Sequence, residues 1–224
     1  MQRFFDLLFA SLALICLAPL LLPVILILRL TGEGEVFFKQ QRVGRNGKPF
    51  ALLKFATMLK DSPNLGTGTI TTKDDPRVLP FGKFLRKTKI NELPQLINIL
   101  RGDMSVIGPR PQTRRCFDAF PKQSQEAIIQ VRPGLSGLGS VVFRGEEEMM
   151  DAAANPDQLY DEVIMPYKGQ LEEWYVANHS TWLYFQLIFM TVWVVVFSNS
   201  QRYWRVWPNL PKPPGELAEH LKAQ

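Results

Sequence analysis

The chain has 224 residues and carries 26 lysines and arginines against 21 aspartates and glutamates, a net charge of +5. That balance favours an anionic partner: a phosphate-rich small molecule, a nucleic acid or an anionic membrane face. Two cysteines and two histidines without ligand-spaced neighbours argue against a disulfide scaffold and a zinc site.

Leu7 to Leu28 holds no charge and is long enough to span a bilayer. No small-residue cleavage site follows it, which disfavours a secretory leader. Pro19 and Pro23 lie inside the run; each removes a helix hydrogen bond and favours a kink. Spanning helices tolerate proline, so a straight span stays open. Arg3 on one flank and Arg29, Lys39, Arg42 and Arg45 beyond the other suit two cytoplasmic ends. This bias favours a kinked, re-entrant membrane helix over residues 1–30.

Val36 to Gly44 reads as a strand, Arg45-Asn46-Gly47-Lys48 as its turn, and Pro49 to Phe55 as the return strand. Arg42 and Lys54 sit on opposite arms, where they either face one site or are solvated. Met58 to Asp75 is a polar loop. Asp74-Asp75-Pro76-Arg77 suits a turn or, less simply, a hard-metal site. From Val78 to Lys87 apolar residues resume, with Gly82 as a break or a close approach. Lys83, Arg86, Lys87 and Lys89 gather cations ahead of Glu92.

Leu93, Leu96, Ile97 and Leu100 form one apolar stripe of a short helix. Asn91 suits its N-cap, Glu92 its first turn, and Gly102 its end. Arg110 then stands between Pro109 and Pro111, whose rings restrict the backbone and lower the entropy lost on gripping an anion. Phe117 to Val131 predicts one helix. The glycines from Arg132 to Ser140 allow a close backbone approach to a ligand, but match neither a dinucleotide fingerprint nor a Walker loop. Glu146-Glu147-Glu148 reads as a solvated helix start, and Asp157 to Tyr175 as a helix broken at Pro166 and Gly169.

Trp182 to Phe197 is apolar but short for a ~30 Å membrane core. Its aromatic neighbours, including Trp174 and Tyr184, suit a helix lying in the interface or packed on the first apolar segment, and a span stays open. The proline-rich end predicts a loose tail, with Trp204 and Trp207 at the interface. The expected organisation is a membrane helix over 1–30, a cytoplasmic catalytic domain over 31–175, an interfacial helix over 176–200 and a tail over 201–224. The fold class is α/β, mostly helical with a short β-hairpin, in a monotopic membrane protein.

The motifs Lys54-Phe55-x-Thr57-Met58, Asp75-Pro76-Arg77, Asn91-Glu92-Leu93-Pro94-Gln95-Leu96, Gly102-Asp103-Met104-Ser105, Gly108-Pro109-Arg110-Pro111 and Arg132-Pro133-Gly134 occur in this order. Together they resemble the bacterial sugar transferase family, the monotopic polyprenyl-phosphate phosphoglycosyl transferases of the small single-domain type. The resemblance implies an enzyme at the cytoplasmic face of the bacterial inner membrane. It implies transfer of sugar-1-phosphate from a UDP-sugar to undecaprenyl phosphate, with Mg²⁺ required and UMP released. That is the first membrane step of O-antigen, capsule, exopolysaccharide or glycoprotein assembly.

The resemblance breaks at Asn91, where the family usually has an aspartate regarded as the nucleophile; Ala56, in place of the more frequent lysine, and Ala18, where a serine often precedes the kink proline, are lesser departures. An amide lacks the anionic oxygen an acyl-phosphate needs. Glu92 is then the nucleophile or a base in direct transfer, another carboxylate such as Asp75 or Asp103 takes the role, or the chain is a silent homologue serving as a membrane-bound binding or scaffold subunit. The expected phosphate ligands are Arg110 first, then Arg86, Arg132 and Arg42, with Lys54 as a point charge. Glu92 with Asp103 or Asp75 is the expected metal site. A nucleic-acid partner does not account for the apolar segments, membrane lipids do, and the sugar and oligomeric state stay open, a homodimer included.

Overall fold

The computed structural model describes residues 1–64, 75–146, 149–150, 155–197, 200–218 and 220–221. Asp74, Glu147 and Glu148 lie outside the described residues, as does most of the predicted polar loop. The fold divides into two compact units: an N-terminal unit of Asp6–Gln41 and Ala51–Gly102, and a C-terminal unit of Met1–Phe5, Arg42–Phe50 and Asp103–Gln224.

In the N-terminal unit, α1 runs from Gln2 to Leu30 as one helix through Pro19 and Pro23. Leu21, Val24 and Leu28 form its buried face and pack with Phe55 and Leu85; each such side chain withdrawn from water stabilises by about 2 kcal/mol. Leu12, Ile15, Leu22 and Leu26 stay exposed. The hairpin pairs β1 (Phe37–Val43) with β2 (Pro49–Phe55); its tip, Arg42–Phe50, is counted with the C-terminal unit, and the turn there places Asn46 at φ 58° and Gly47 at φ 70°, the left-handed region expected of Asn-Gly. Next comes α2 (Pro80–Lys87). A Cβ on Gly82 would stand 2.2 Å from the Thr57 carbonyl oxygen, so this glycine marks a close approach and not a break.

In the C-terminal unit, β3 (Ser105–Ile107) pairs in parallel with β4 (Gly134–Ser136), Ser105 opposite Gly134 and Ile107 opposite Ser136. Apolar alternation does not announce strands this short. A Cβ on Gly108, Gly134 or Gly137 would fall 2.4, 2.1 or 2.1 Å from backbone atoms across the pair. The glycine spacing thus lets backbone approach backbone rather than a ligand. The helix expected over 117–131 is two: α4 (Arg114–Asp118) and α5 (Lys122–Ile128), separated where Pro121 takes an extended ψ of 148°. After α6 (Leu138–Val142), α7 (Pro156–Leu159) continues through one π turn, Tyr160–Ile164, into α8 (Met165–Ala177). Pro166 directly follows the π turn, and the helix continues through it. Gly169 makes room for the Ser124 hydroxyl, 2.3 Å from where its Cβ would lie.

The apolar helix α9 (Thr181–Val196) is capped by Ser180, whose Oγ accepts from the Leu183 N–H. Leu183, Leu187, Met190 and Val194 are buried, while Trp182, Phe189, Val192 and Val196 face outward. The tail is docked, not loose. Short helices α10 (Tyr203–Val206) and α11 (Gly215–Ala218) bring Tyr203, Trp207, Leu210 and Leu217 into the core. Trp207 lies against Trp174, their ring centroids 6.4 Å apart, and its Nε1 donates to Gln186 Oε1 at 3.3 Å. Its indole is therefore covered by protein rather than set in a membrane interface.

Candidate active site

The turn carrying Asn91 and Glu92 is tighter than a capped α-helix. Lys89 takes φ 58°, left-handed for a residue with a Cβ, and Ile90–Glu92 forms a 3₁₀ turn. Such a conformation costs of order 1 kcal/mol and tends to cluster at functional sites. The N–H groups of Glu92, Leu93 and Leu96 donate three residues back, at 3.1, 3.1 and 3.0 Å. α3 (Gln95–Arg101) starts only after Pro94, with no side-chain cap. Asn91 is therefore not the N-cap, because the backbone has already satisfied the donors a cap would take. Its side chain is turned in, and Oδ1 is buried without a hydrogen-bond partner.

Glu92 Oε1 lies 3.7 Å from Lys54 Nζ on β2, the two side chains 19% and 20% exposed. The predicted apolar stripe is only partly the buried face. Leu96 is buried, but Leu93, Ile97 and Leu100 are half-buried, and Gln95, Asn98 and Ile99 are buried instead. Asn98, which apolar periodicity passes over, is 0% exposed. Its Oδ1 accepts from the Leu53 N–H and its Nδ2 donates to the Ala51 carbonyl, both at 2.9 Å. The signal available in the sequence is a lone amide between Ile97 and Ile99.

Asp75 is also in this unit, but Arg77 holds it at both oxygens, Nε to Oδ1 at 2.9 Å and Nη2 to Oδ2 at 2.6 Å. Arg77 extends the brace to the Ser62 carbonyl at 2.8 Å. Arg77 thus ties Asp75 into the fold through both of its oxygens. Arg86 is half-buried in the last turn of α2.

The remaining predicted residues belong to the C-terminal unit. Arg110 is exposed between buried Pro109 and Pro111, at the edge of a small cleft shared with Val43, Phe117, Ile128 and Pro133. Arg42 Nη1 donates to the Pro111 carbonyl at 3.2 Å, and the Val43 N–H donates to the Gln112 carbonyl at 2.9 Å. Arg42 thus braces the loop that presents Arg110. Asp103 and Arg132 are half-buried at the two ends from which β3 and β4 begin. A separate ionic cluster lies deeper. Lys168 Nζ meets Glu146 at 2.7 and 2.8 Å, so Glu146 is paired rather than solvated. Burial pushes the Glu172 carboxyl up to about 7, against the pull of Lys168 and the Gly139 N–H.

No group of three His, Cys, Asp or Glu side chains is gathered among the described residues. The donors at the turn, the Glu92 carboxylate and the orphaned Asn91 Oδ1, fit an Mg²⁺ ion that takes its other ligands from water and a diphosphate, its usual habit.

The sequence profile of the bacterial sugar transferases matches residues 1–198. The chain is 36% identical over 205 residues to undecaprenyl-phosphate glucose phosphotransferase of Komagataeibacter xylinus, covering 89% of this chain and 36% of that protein. It is 35% identical to the UDP-N-acetylgalactosamine-undecaprenyl-phosphate N-acetylgalactosaminephosphotransferase of Aeromonas hydrophila, covering 85% and 42%. It is 32% identical to the exopolysaccharide production protein ExoY of Rhizobium meliloti, covering 88% and 86%. The chain thus spans well under half the length of the first two and most of the third.

Proposed function

The chain belongs to the bacterial sugar transferase family, and from that footing we propose that it transfers sugar-1-phosphate from a UDP-sugar to undecaprenyl phosphate. The observation that carries this reading is the Lys54–Glu92 pair, partly exposed at the head of α3 beside a buried amide. The acceptor's phosphate oxygen attacks the sugar-bearing phosphorus of the UDP-sugar. The bond from that phosphorus to the bridging oxygen breaks, and UMP leaves with the oxygen and its electron pair.

Transfer is direct. Residue 91 offers no anionic oxygen, whereas the lipid phosphate brings one of its own. Glu92 and Lys54 orient the diphosphate and neutralise spread charge, the main demands of phosphoryl transfer. Arg86, in the same unit, adds positive potential; within the C-terminal unit Arg110, with its planar fork, is suited to phosphate oxygens, and Arg132 adds charge there. Glu92 and Asn91 Oδ1 would hold Mg²⁺, which would supply charge neutralisation. α1 is long and apolar enough to cross a membrane, and we place it in the inner membrane with the reacting groups on the cytoplasmic side, which the flanking cations favour. The outward apolar face of α9 suits a helix lying in a membrane interface.

The relatives' names include both glucose and N-acetylgalactosamine, so the test is a UDP-sugar panel. Purified protein in lipid nanodiscs with undecaprenyl phosphate and Mg²⁺ should release UMP from at least one sugar. The competing reading, a silent binding subunit, rests on Asn91 and expects no release from any.

A further inference from the structure

Asn98 lies on the helix that follows Glu92, and its side chain reaches the strand that carries Lys54. Residues 51 and 53 present their backbone groups to the same edge of β2, because a strand repeats every two residues. Asn98 takes both: the Leu53 N–H at Oδ1 and the Ala51 carbonyl at Nδ2, each at 2.9 Å. The amide stands in for a peptide group of a third strand. It is 0% exposed, so a mismatch here leaves buried polar groups unsatisfied. A slip of β2 by one residue would turn Lys54 to the opposite face.

Resting on the activity proposed above, we infer that Asn98 is a positioning residue that locks the register of β2 against α3 and so holds the Lys54 ammonium at the Glu92 carboxylate. Packing alone does not require an amide at this position, since its neighbours Ile97 and Ile99 are apolar. An amide with both ends bonded to strand backbone specifies register, which an apolar side chain of similar volume does not.

The test is trace acetylation of the full-length protein in nanodiscs with acetic anhydride, read at each lysine by mass spectrometry. Freed from Glu92, Lys54 reacts faster. Glu92→Gln should raise Lys54 labelling several-fold, Asn98→Leu should raise it equally, and the double variant should go no higher, with exposed Lys48 unchanged throughout. Asn98→Asp keeps the acceptor for Leu53 and loses the donor for Ala51; it should give an intermediate rise, and it decides the matter if the leucine variant does not fold. Native Lys54 labelling in a folded Asn98→Leu or Asn98→Asp protein overturns the inference. In parallel, Asn98→Leu should cut kcat about tenfold with KM for the UDP-sugar little changed, and Lys54→Met should cost nothing further in that background; full additivity also overturns it. If the native protein releases no UMP, the proposed activity falls while the labelling still decides the role of Asn98.

Discussion

Lys54 reaches from the return strand of the hairpin to within 3.7 Å of Glu92, with each side chain about one-fifth exposed. At 3.7 Å the pair is near the long limit of ion-pair geometry and contributes only ~1 kcal/mol to stability. Its removal should therefore be felt in chemistry before folding. Lys54→Met should lower kcat tenfold or more and shift the melting temperature by no more than a few degrees. Glu92→Gln should abolish turnover. Steady-state UMP release and thermal melting of the same preparations check both; a fully active Glu92→Gln removes that carboxylate from the account.

Asn91 separates direct from covalent transfer. A covalent enzyme exchanges labelled UMP into UDP-sugar with no lipid acceptor present. The native protein should show no such exchange. Asn91→Asp, which restores an anionic oxygen, should acquire it. Acceptor-free exchange by the native protein would sink the direct mechanism and point to a phosphoglycosyl group on Glu92.

Arg110 and Arg42 should differ in kind. Arg110→Ala should raise KM for the UDP-sugar roughly 10- to 100-fold, the worth of a charge-assisted contact, with the melting temperature unchanged. Arg110→Lys should recover part of it. Arg42→Ala frees the Pro111 carbonyl from its 3.2 Å bond and should lower thermal stability together with substrate affinity. An Arg42→Ala protein of native stability with a large KM defect would return Arg42 to direct phosphate contact.

Glu172 makes stability depend on pH. Its carboxyl sits at about 7 in the fold against an ordinary 4.5. Between those values the native state keeps a proton that the unfolded chain has lost. The stabilisation is complete below pH 4.5 and is lost as pH rises through about 7, by ~3 kcal/mol in all. Glu172→Gln should flatten the melting temperature across this window and melt higher than the native protein at pH 8. An unchanged pH profile would show that the carboxyl is not the titrating group.

What the chain discloses in advance follows from how local each cause is. The hairpin is written in Asn46-Gly47, whose left-handed geometry is intrinsic to the dipeptide, and its return strand runs over Pro49–Phe55 as the apolar content there predicts. The turn at the candidate site is written in Asn-Glu-Leu-Pro-Gln, but its shape is not. The 3₁₀ bonds that displace Asn91 from the cap depend on Lys89 holding a left-handed φ, which no propensity favours. The β3–β4 pair hides because each strand has three residues and its glycines serve a backbone distant in sequence. Asn98 hides because a polar residue in an apolar run reads as noise until the strand edge it bonds is known. The docked tail was obscured by its prolines, which stop helices without preventing Trp207 and Leu210 from packing.

We propose that this turn transfers a phospho-sugar although residue 91 is an amide. The most direct measurement is UMP release by the native protein in nanodiscs across UDP-sugars, with and without undecaprenyl phosphate. The account predicts release that requires the lipid, matches lipid-linked sugar mole for mole and vanishes in Glu92→Gln. Folded protein that releases no UMP from any sugar in the panel would contradict it.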